Sequence, residues 1–199
     1  MNLPNKLTAC RMVMAFVFLG ALLSGLPYSK TVAFFLFVIA SLTDVLDGVI
    51  ARKRDIITDF GKLMVPLADK VLISAAFISF VQLPNMGVPA WMGVPAWMAV
   101  VIVTREFAVT GLRLLGASKG VLIGAWRWGK NKMISQVVTA ALILAFLSLN
   151  EFFPDTMTGA MEPLFSITLN VLKYFTVVLT AVTGVLFLLE HKELMRSDV

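Results

Sequence analysis

Between Ser41 and Lys70 the chain reads SLTDVLDGVIARKRDIITDFGKLMVPLADK. Asp44, Asp47 and Asp69 stand there, with Gly48, Arg52 and Gly61, in sequence that is otherwise mostly apolar. On a helix, spacings of three and four put Asp44, Asp47 and Ala51 on one face. The same rule groups Gly61, Val65 and Asp69 on one face of the next helix. An acidic side chain in a membrane-spanning helix is costly, so it usually faces a polar interior and has a job there. Three carboxylates near one membrane depth suit a hard divalent cation such as Mg²⁺, which also coordinates substrate phosphates. The competing reading caps helices with these residues, or pairs them with Arg52, Lys53 and Arg54 in solvated loops. It accounts well for Asp55 and Asp59 and poorly for Asp69.

The elements that must position these residues are apolar spans. Of 199 residues 59% are hydrophobic, and the mean hydropathy is +0.89. That composition predicts an integral membrane protein with a single domain over residues 1–199. Spans long enough for a roughly 20-residue crossing fall near 7–26, 30–52, 60–83, 93–116, 128–149 and 163–189. Gly25 and Pro27 separate the first two, Pro84, Asn85 and Gly87 end the third, and Asn150, Pro154, Asp155 and Gly159 follow the fifth. The expected fold is therefore all-α, with six transmembrane helices.

Charge sets the orientation. Net charge is +5 and the isoelectric point about 9.6. The basic residues flank apolar spans, which points to a membrane surface and away from nucleic acid. With both termini cytoplasmic, fifteen of the seventeen Lys and Arg residues fall on inner segments or inner halves of helices; Lys30 and Lys173 are the exceptions. The connection near 150–162 is acidic through Glu151, Asp155 and Glu162. This predicts a multi-pass inner-membrane protein of bacterial type with its active face to the cytoplasm. The first span lacks a small-residue cleavage site, so no cleavable signal peptide is expected. Cys10, the single cysteine, makes no internal disulfide and reads as a packing residue. His191 is assigned no role. Gly87 to Met92 repeats as Gly93 to Met98, too short for a stacking repeat; its tryptophans are expected at the outer interface.

Asp44-x2-Asp47-Gly48-x2-Ala51-Arg52-x8-Gly61-x3-Val65-x3-Asp69 resembles the signature of the CDP-alcohol phosphotransferase family, D-x2-D-G-x2-A-R-x8-G-x3-D-x3-D. Further segments resemble the members that use glycerol phosphate: Pro4 to Thr8 with Arg11, Pro66 to Lys70, Arg105 to Phe107 with Val109 to Arg113, and Gly129 to Lys132. The resemblance covers nearly the whole chain, with the outer connections and last helix least specific. It implies transfer of the phosphatidyl group from CDP-diacylglycerol to sn-glycerol 3-phosphate, with CMP released. It implies Asp44, Asp47 and Asp69 as ligands of Mg²⁺ or Mn²⁺ at two sites, and Asp69 as general base. Gly48, Arg52 and Thr58 would contact the CDP moiety, and Asn5 and Thr8 would form the amino-terminal part of that pocket. For Gly48 helix–helix packing competes, and for Asn5 and Thr8 helix capping. The acceptor phosphate needs cations, and Arg105, Arg113, Lys130 and Lys132 are the candidates. Arg105 sits deep in an apolar span, where pairing with Glu106 or a site Asp is the structural alternative. Lys130 and Lys132 also read as an ordinary positive-inside flank. A homodimer in contact with membrane lipids is implied as well.

Val65 departs from the pattern, standing where the family has its third Asp. It cannot ligate a cation, which weakens the expected metal sites and turnover. A non-catalytic CDP-lipid-binding member, or an enzyme with another acceptor alcohol, is therefore the alternative. A transporter is disfavoured because two halves with broken helices are not seen. A prenyltransferase would want two separated Asp-rich motifs.

Overall fold

The structure is a computed structural model that describes the backbone of residues 3–51, 59–121, 123–124, 127–155, 159 and 161–196. Side chains are described for residues 9–43, 70–121, 123–124, 129–155, 159 and 161–194. The described chain is helical, with short 3-10 turns and no strand. The long helices are α1 (Leu3–Leu23), α2 (Ser29–Ala51), α3 (Asp59–Gln82), α4 (Ala96–Ser118), α5 (Arg127–Phe152) and α6 (Glu162–Glu190). A short helix α7 (Lys192–Arg196) follows, and 3-10 turns occupy Leu83–Met86 and Ala90–Met92.

These helices lie where the apolar spans predict, and their ends follow local chemistry. Pro163 occupies the first turn of α6, where its missing N–H would have had no helical partner. Past the end of α4, Gly120 adopts φ 75°. There the Val121 N–H donates to the Gly116 carbonyl at 2.8 Å and the Gly120 N–H to the Ala117 carbonyl at 3.1 Å. This paired arrangement satisfies helix-end carbonyls and needs a left-handed residue, which glycine supplies without strain.

Two described segments, Gly129–Phe152 and Glu162–Glu190, are long and apolar enough to cross a membrane; Ala9–Leu23, Ser29–Thr43 and Lys70–Met86 are shorter apolar stretches. Large apolar side chains also cover much of the exterior, among them Phe16, Phe35, Ile39, Val100, Val171 and Val178. An exterior of this kind suits lipid better than water. Inside, Phe18 packs tilted against Phe37 at 5.8 Å between centroids and Phe77 edge-to-face against Phe80 at 5.9 Å, all four fully buried.

The helices close a ring. Among the described residues α1 packs on α2 and α3, α2 on α5, α5 on α6, α6 on α4 and α4 on α3. A smaller contact of α3 with α5 crosses it.

One end of the ring is pinned by polar contacts. The Glu151 carboxylate accepts the Lys30 and Thr31 N–H groups at 3.0 Å each and the Thr31 hydroxyl at 2.8 Å. It thus caps the amino terminus of α2, where N–H groups lack helical partners and the dipole favours an anion. Lys173 is buried on α6 and donates to the carbonyls of Trp91 and Gly93, at 2.8 Å each. Trp91 in turn donates from Nε1 to Glu162 at 3.1 Å. The repeated hexapeptides therefore do different work. The first copy forms a 3-10 turn held by Lys173 and Glu162. The second opens α4, and its Trp97 is 51% exposed beside Tyr174.

Candidate active site

The acidic motif lies on two helices. Asp44, Asp47 and Gly48 are in the last turns of α2, and Val65 and Asp69 are in α3. The helix is unbroken through residues 44 and 47, so Asp44 and Asp47 rise from one face. Asn5 and Thr8 lie in the first turns of α1, which packs on both α2 and α3. The side chains of all these residues, and Arg52 and Thr58 altogether, lie outside the described residues. The donor chemistry at positions 44, 47 and 69 fits a hard divalent cation, being carboxylate oxygen throughout. Among the described side chains no three His, Cys, Asp or Glu residues gather into a second such set.

The side chains of Arg105, Arg113, Lys130 and Lys132 lie among the described residues. Glu106 on α4 is 1% exposed and gathers three cations. Lys132 of α5, also 1% exposed, donates to its Oε1. Arg105 Nη1 is 3.5 Å from the same oxygen, and Lys70 Nζ of α3 is 3.7 Å from Oε2. Gln136, one turn after Lys132, donates from Nε2 to Oε1 at 3.2 Å and lies 3.3 Å from the Thr180 hydroxyl of α6. Burial of charge is tolerable only with such pairing. The polar seam continues between α5 and α6, where the Thr139 and Thr176 hydroxyls are 2.7 Å apart.

The pairing leaves a surplus. Three formal positive charges meet one carboxylate among the described residues. The buried Arg105 Nε and Arg113 Nε have no hydrogen-bond partner there. Arg113, two turns beyond Arg105 on α4, lies with its guanidinium carbon 5.3 Å from the centre of the Phe187 ring. Lys130 is exposed at the start of α5, while Lys132, two residues on, is buried against Glu106. The four cations named from sequence thus divide. Arg105 and Lys132 share Glu106, Arg113 sits over an aromatic ring, and Lys130 faces outward.

Sequence reasoning left three members of this cluster without a site role. Glu106 was read only as a possible partner of Arg105, and it is the hub. Lys70 was legible only through its place beside Asp69, and Gln136 carried no local signal at all. Lys70 is the link that matters: it follows Asp69 in the chain and pairs with Glu106 of the cation cluster.

A family model described as CDP-alcohol phosphatidyltransferase matches residues 1–189. The chain is 40% identical over 155 residues to the CDP-diacylglycerol–glycerol-3-phosphate 3-phosphatidyltransferase of Bacillus subtilis strain 168, covering 72% of this chain and 76% of that one. It is 39% identical over 150 residues to a probable phosphatidylglycerophosphate synthase of Mycobacterium tuberculosis, covering 74% and 68%. With a Rickettsia felis CDP-diacylglycerol–glycerol-3-phosphate 3-phosphatidyltransferase the identity is 34% over 143 residues, covering 72% and 75%. A match along nearly the whole chain, on top of the motif carried by α2 and α3, means that the chain belongs to the CDP-alcohol phosphatidyltransferase family.

Proposed function

We propose that this protein transfers the phosphatidyl group of CDP-diacylglycerol to sn-glycerol 3-phosphate, giving phosphatidylglycerol phosphate and CMP. One observation carries the choice of acceptor. Among the described residues the Arg105–Glu106–Lys132–Lys70 cluster holds more positive charge than its carboxylate balances, and Lys70 adjoins Asp69. A phosphate monoester would add negative charge there and accept the Nε–H groups of Arg105 and Arg113, which have no partner among the described residues. The names of the relatives agree with this reaction.

In the reaction an acceptor hydroxyl oxygen bonds to the lipid-side phosphorus. The bond from that phosphorus to the bridging oxygen breaks, and the electron pair leaves with CMP. Asp69 takes the hydroxyl proton. Arg105 and Arg113 hold the acceptor phosphate, and Lys130 draws the anion in from the rim. Lys132 fixes Glu106, which keeps Arg105 and Lys70 in register. Gly48 leaves room for the nucleotide against α2, with Arg52, Thr58, Asn5 and Thr8 around it. Asp44, Asp47 and Asp69 would hold Mg²⁺ or Mn²⁺, which neutralises the diphosphate and stabilises developing charge. Val65 leaves that set one carboxylate short, so CDP-lipid binding without turnover is the second reading.

The surrounding architecture is a single domain of six membrane crossings with both termini and the site on the cytoplasmic side of a bacterial inner membrane, in a homodimer. The apolar exterior and the bias of basic residues support the topology. The resemblance alone supports the dimer.

The test is CMP release from CDP-diacylglycerol by the purified full chain, with glycerol 3-phosphate, glycerol, inositol phosphate and serine compared at Mg²⁺ and Mn²⁺. Glycerol 3-phosphate is expected to be the preferred acceptor. Arg113→Ala and Lys130→Ala should raise its KM more than that of CDP-diacylglycerol. Equal weakening of both substrates, or equal use of free glycerol, overturns the acceptor assignment. Binding of CDP-diacylglycerol without CMP release under every condition favours the second reading.

A further inference from the structure

We propose that the inner part of α6 is the seat of the acceptor-site arginines, with Gly184 positioning Arg105 and Phe187 positioning Arg113. The proposal rests on the reading of those arginines as phosphate ligands, and adds to it two residues in the helix whose sequence is least specific.

Gly184 and Phe187 are three residues apart, so they share a face of α6. That face meets α4. At Gly184 the missing side chain is filled by Arg105. A Cβ there would lie 2.6 Å from Arg105 Cγ and 3.7 Å from its Nε. Carbon atoms in contact sit about 3.5–4.0 Å apart, so even alanine displaces the arginine at its root, where it is least free to swing. One turn on, Phe187 is 2% exposed and presents its ring to Arg113, with 5.3 Å from guanidinium carbon to ring centre. That lies within cation–π range. The ring is itself held, for the His191 ring stacks on it at 4.5 Å and 29°.

Arg105 and Arg113 start about 12 Å apart along α4, and their contacts on α6 are about 4.5 Å apart along its axis. Gly184 meets the stem of Arg105, and Phe187 meets the guanidinium of Arg113. Neither Nε has a hydrogen-bond partner among the described residues. Packing under Arg105 and ring contact with Arg113 therefore place the two stems, with Glu106 holding Arg105 Nη1, and among the described residues the two Nε donors stay available to a phosphate.

The experiment is steady-state kinetics on the full chain in mixed micelles, reading the KM of glycerol 3-phosphate and of CDP-diacylglycerol separately. Gly184→Ala should raise the acceptor KM about tenfold, and Phe187→Leu about fivefold. The CDP-diacylglycerol KM should stay within about twofold in both. Phe187→Tyr keeps the ring and should restore the parent value, which a loss of general packing would not predict. In an Arg113→Ala background Phe187→Leu should add nothing. Parallel rises in both KM values, an unchanged acceptor KM in Phe187→Leu, or full additivity with Arg113→Ala overturns the proposal. If Gly184→Ala does not fold, the comparison of Phe187→Leu with Phe187→Tyr decides it alone. If Arg105→Ala and Arg113→Ala raise the acceptor KM but the α6 variants do not, only the seat is wrong. If the arginine variants leave that KM unchanged, the acceptor reading fails and the seat with it.

Discussion

Glu106→Gln should destabilise the protein far more than Lys132→Met, although the two residues form one buried ion pair. The asymmetry follows from the partners. Lys132 is 1% exposed, and Glu106 is its only carboxylate partner among the described residues. Glu106 has Lys70 at 3.7 Å and Arg105 at 3.5 Å besides. Removing the carboxylate strands a buried ammonium, which costs about 3–5 kcal/mol. Removing the ammonium leaves the carboxylate still paired twice, at about 1 kcal/mol. For a chain of this size about 2–4 °C of Tm accompanies each kcal/mol. Glu106→Gln should therefore lower Tm by about 6–20 °C and Lys132→Met by about 2–4 °C. The double variant should recover at least about 2 kcal/mol over Glu106→Gln. Thermal unfolding in one detergent, followed by circular dichroism at a fixed scan rate, measures all three. Equal losses in the two single variants, or a double variant no better than Glu106→Gln, would refute the view of Glu106 as the hub.

Three other perturbations probe other parts of the molecule. Val65→Asp should supply a fourth carboxylate and raise CMP release at least about a hundredfold at equal expression; unchanged or lower release means that another residue, or a rearranged site, does that work. Glu151→Gln keeps the shape of the cap on α2 but not its charge, and should cost about 1–2 kcal/mol in thermal stability with both KM values unchanged; a neutral result would make the cap incidental. Asp55→Cys, in a background with Cys10 replaced by Ala, should react with an impermeant thiol reagent only after the membrane is opened; labelling of intact cells would invert the topology.

The helices are legible because each is a long apolar run, and α1, α3, α4 and α5 stop just before a Gly or Pro, which local sequence carries. Partnerships were less legible, because they join residues far apart in the chain. Lys132 reads locally as a positive-inside flank, and only its burial beside Glu106 reveals an internal counterion. Lys173 stood out as an exception to the charge bias; the fold uses it as a buried donor to the carbonyls of Trp91 and Gly93. Acidic Glu151 and Glu162 looked like outer-loop charge, yet each has a specific partner, the start of α2 and the Trp91 indole. The hexapeptide repeat shows the limit most directly. Identical sequence forms a 3-10 turn in one copy and a helix start in the other; the Trp of the first copy meets Lys173 and Glu162, while the Trp of the second lies exposed beside Tyr174. The carboxylate motif is legible as a pattern, with Asp44 and Asp47 on α2 and Asp69 on α3.

The order of helices around the ring bears on how the protein is made. In the ring α1 sits between α2 and α3, and α4 lies against α3. These four can associate as they emerge from the ribosome, and they already carry the whole carboxylate motif. The two contacts that close the circle, α2 with α5 and α6 with α4, must wait for the last two long helices. Until α5 arrives, Glu106 lacks Lys132 and the start of α2 lacks Glu151. The helices of the carboxylate motif are thus laid down first, and the Glu106 cluster is completed last. A chain stalled or truncated before α5 would present the carboxylate motif with an unfinished cation cluster. Quality control in the membrane would then have a distinct species to recognise: a four-helix intermediate in which Glu106 keeps Lys70 and Arg105 but lacks the lysine of α5.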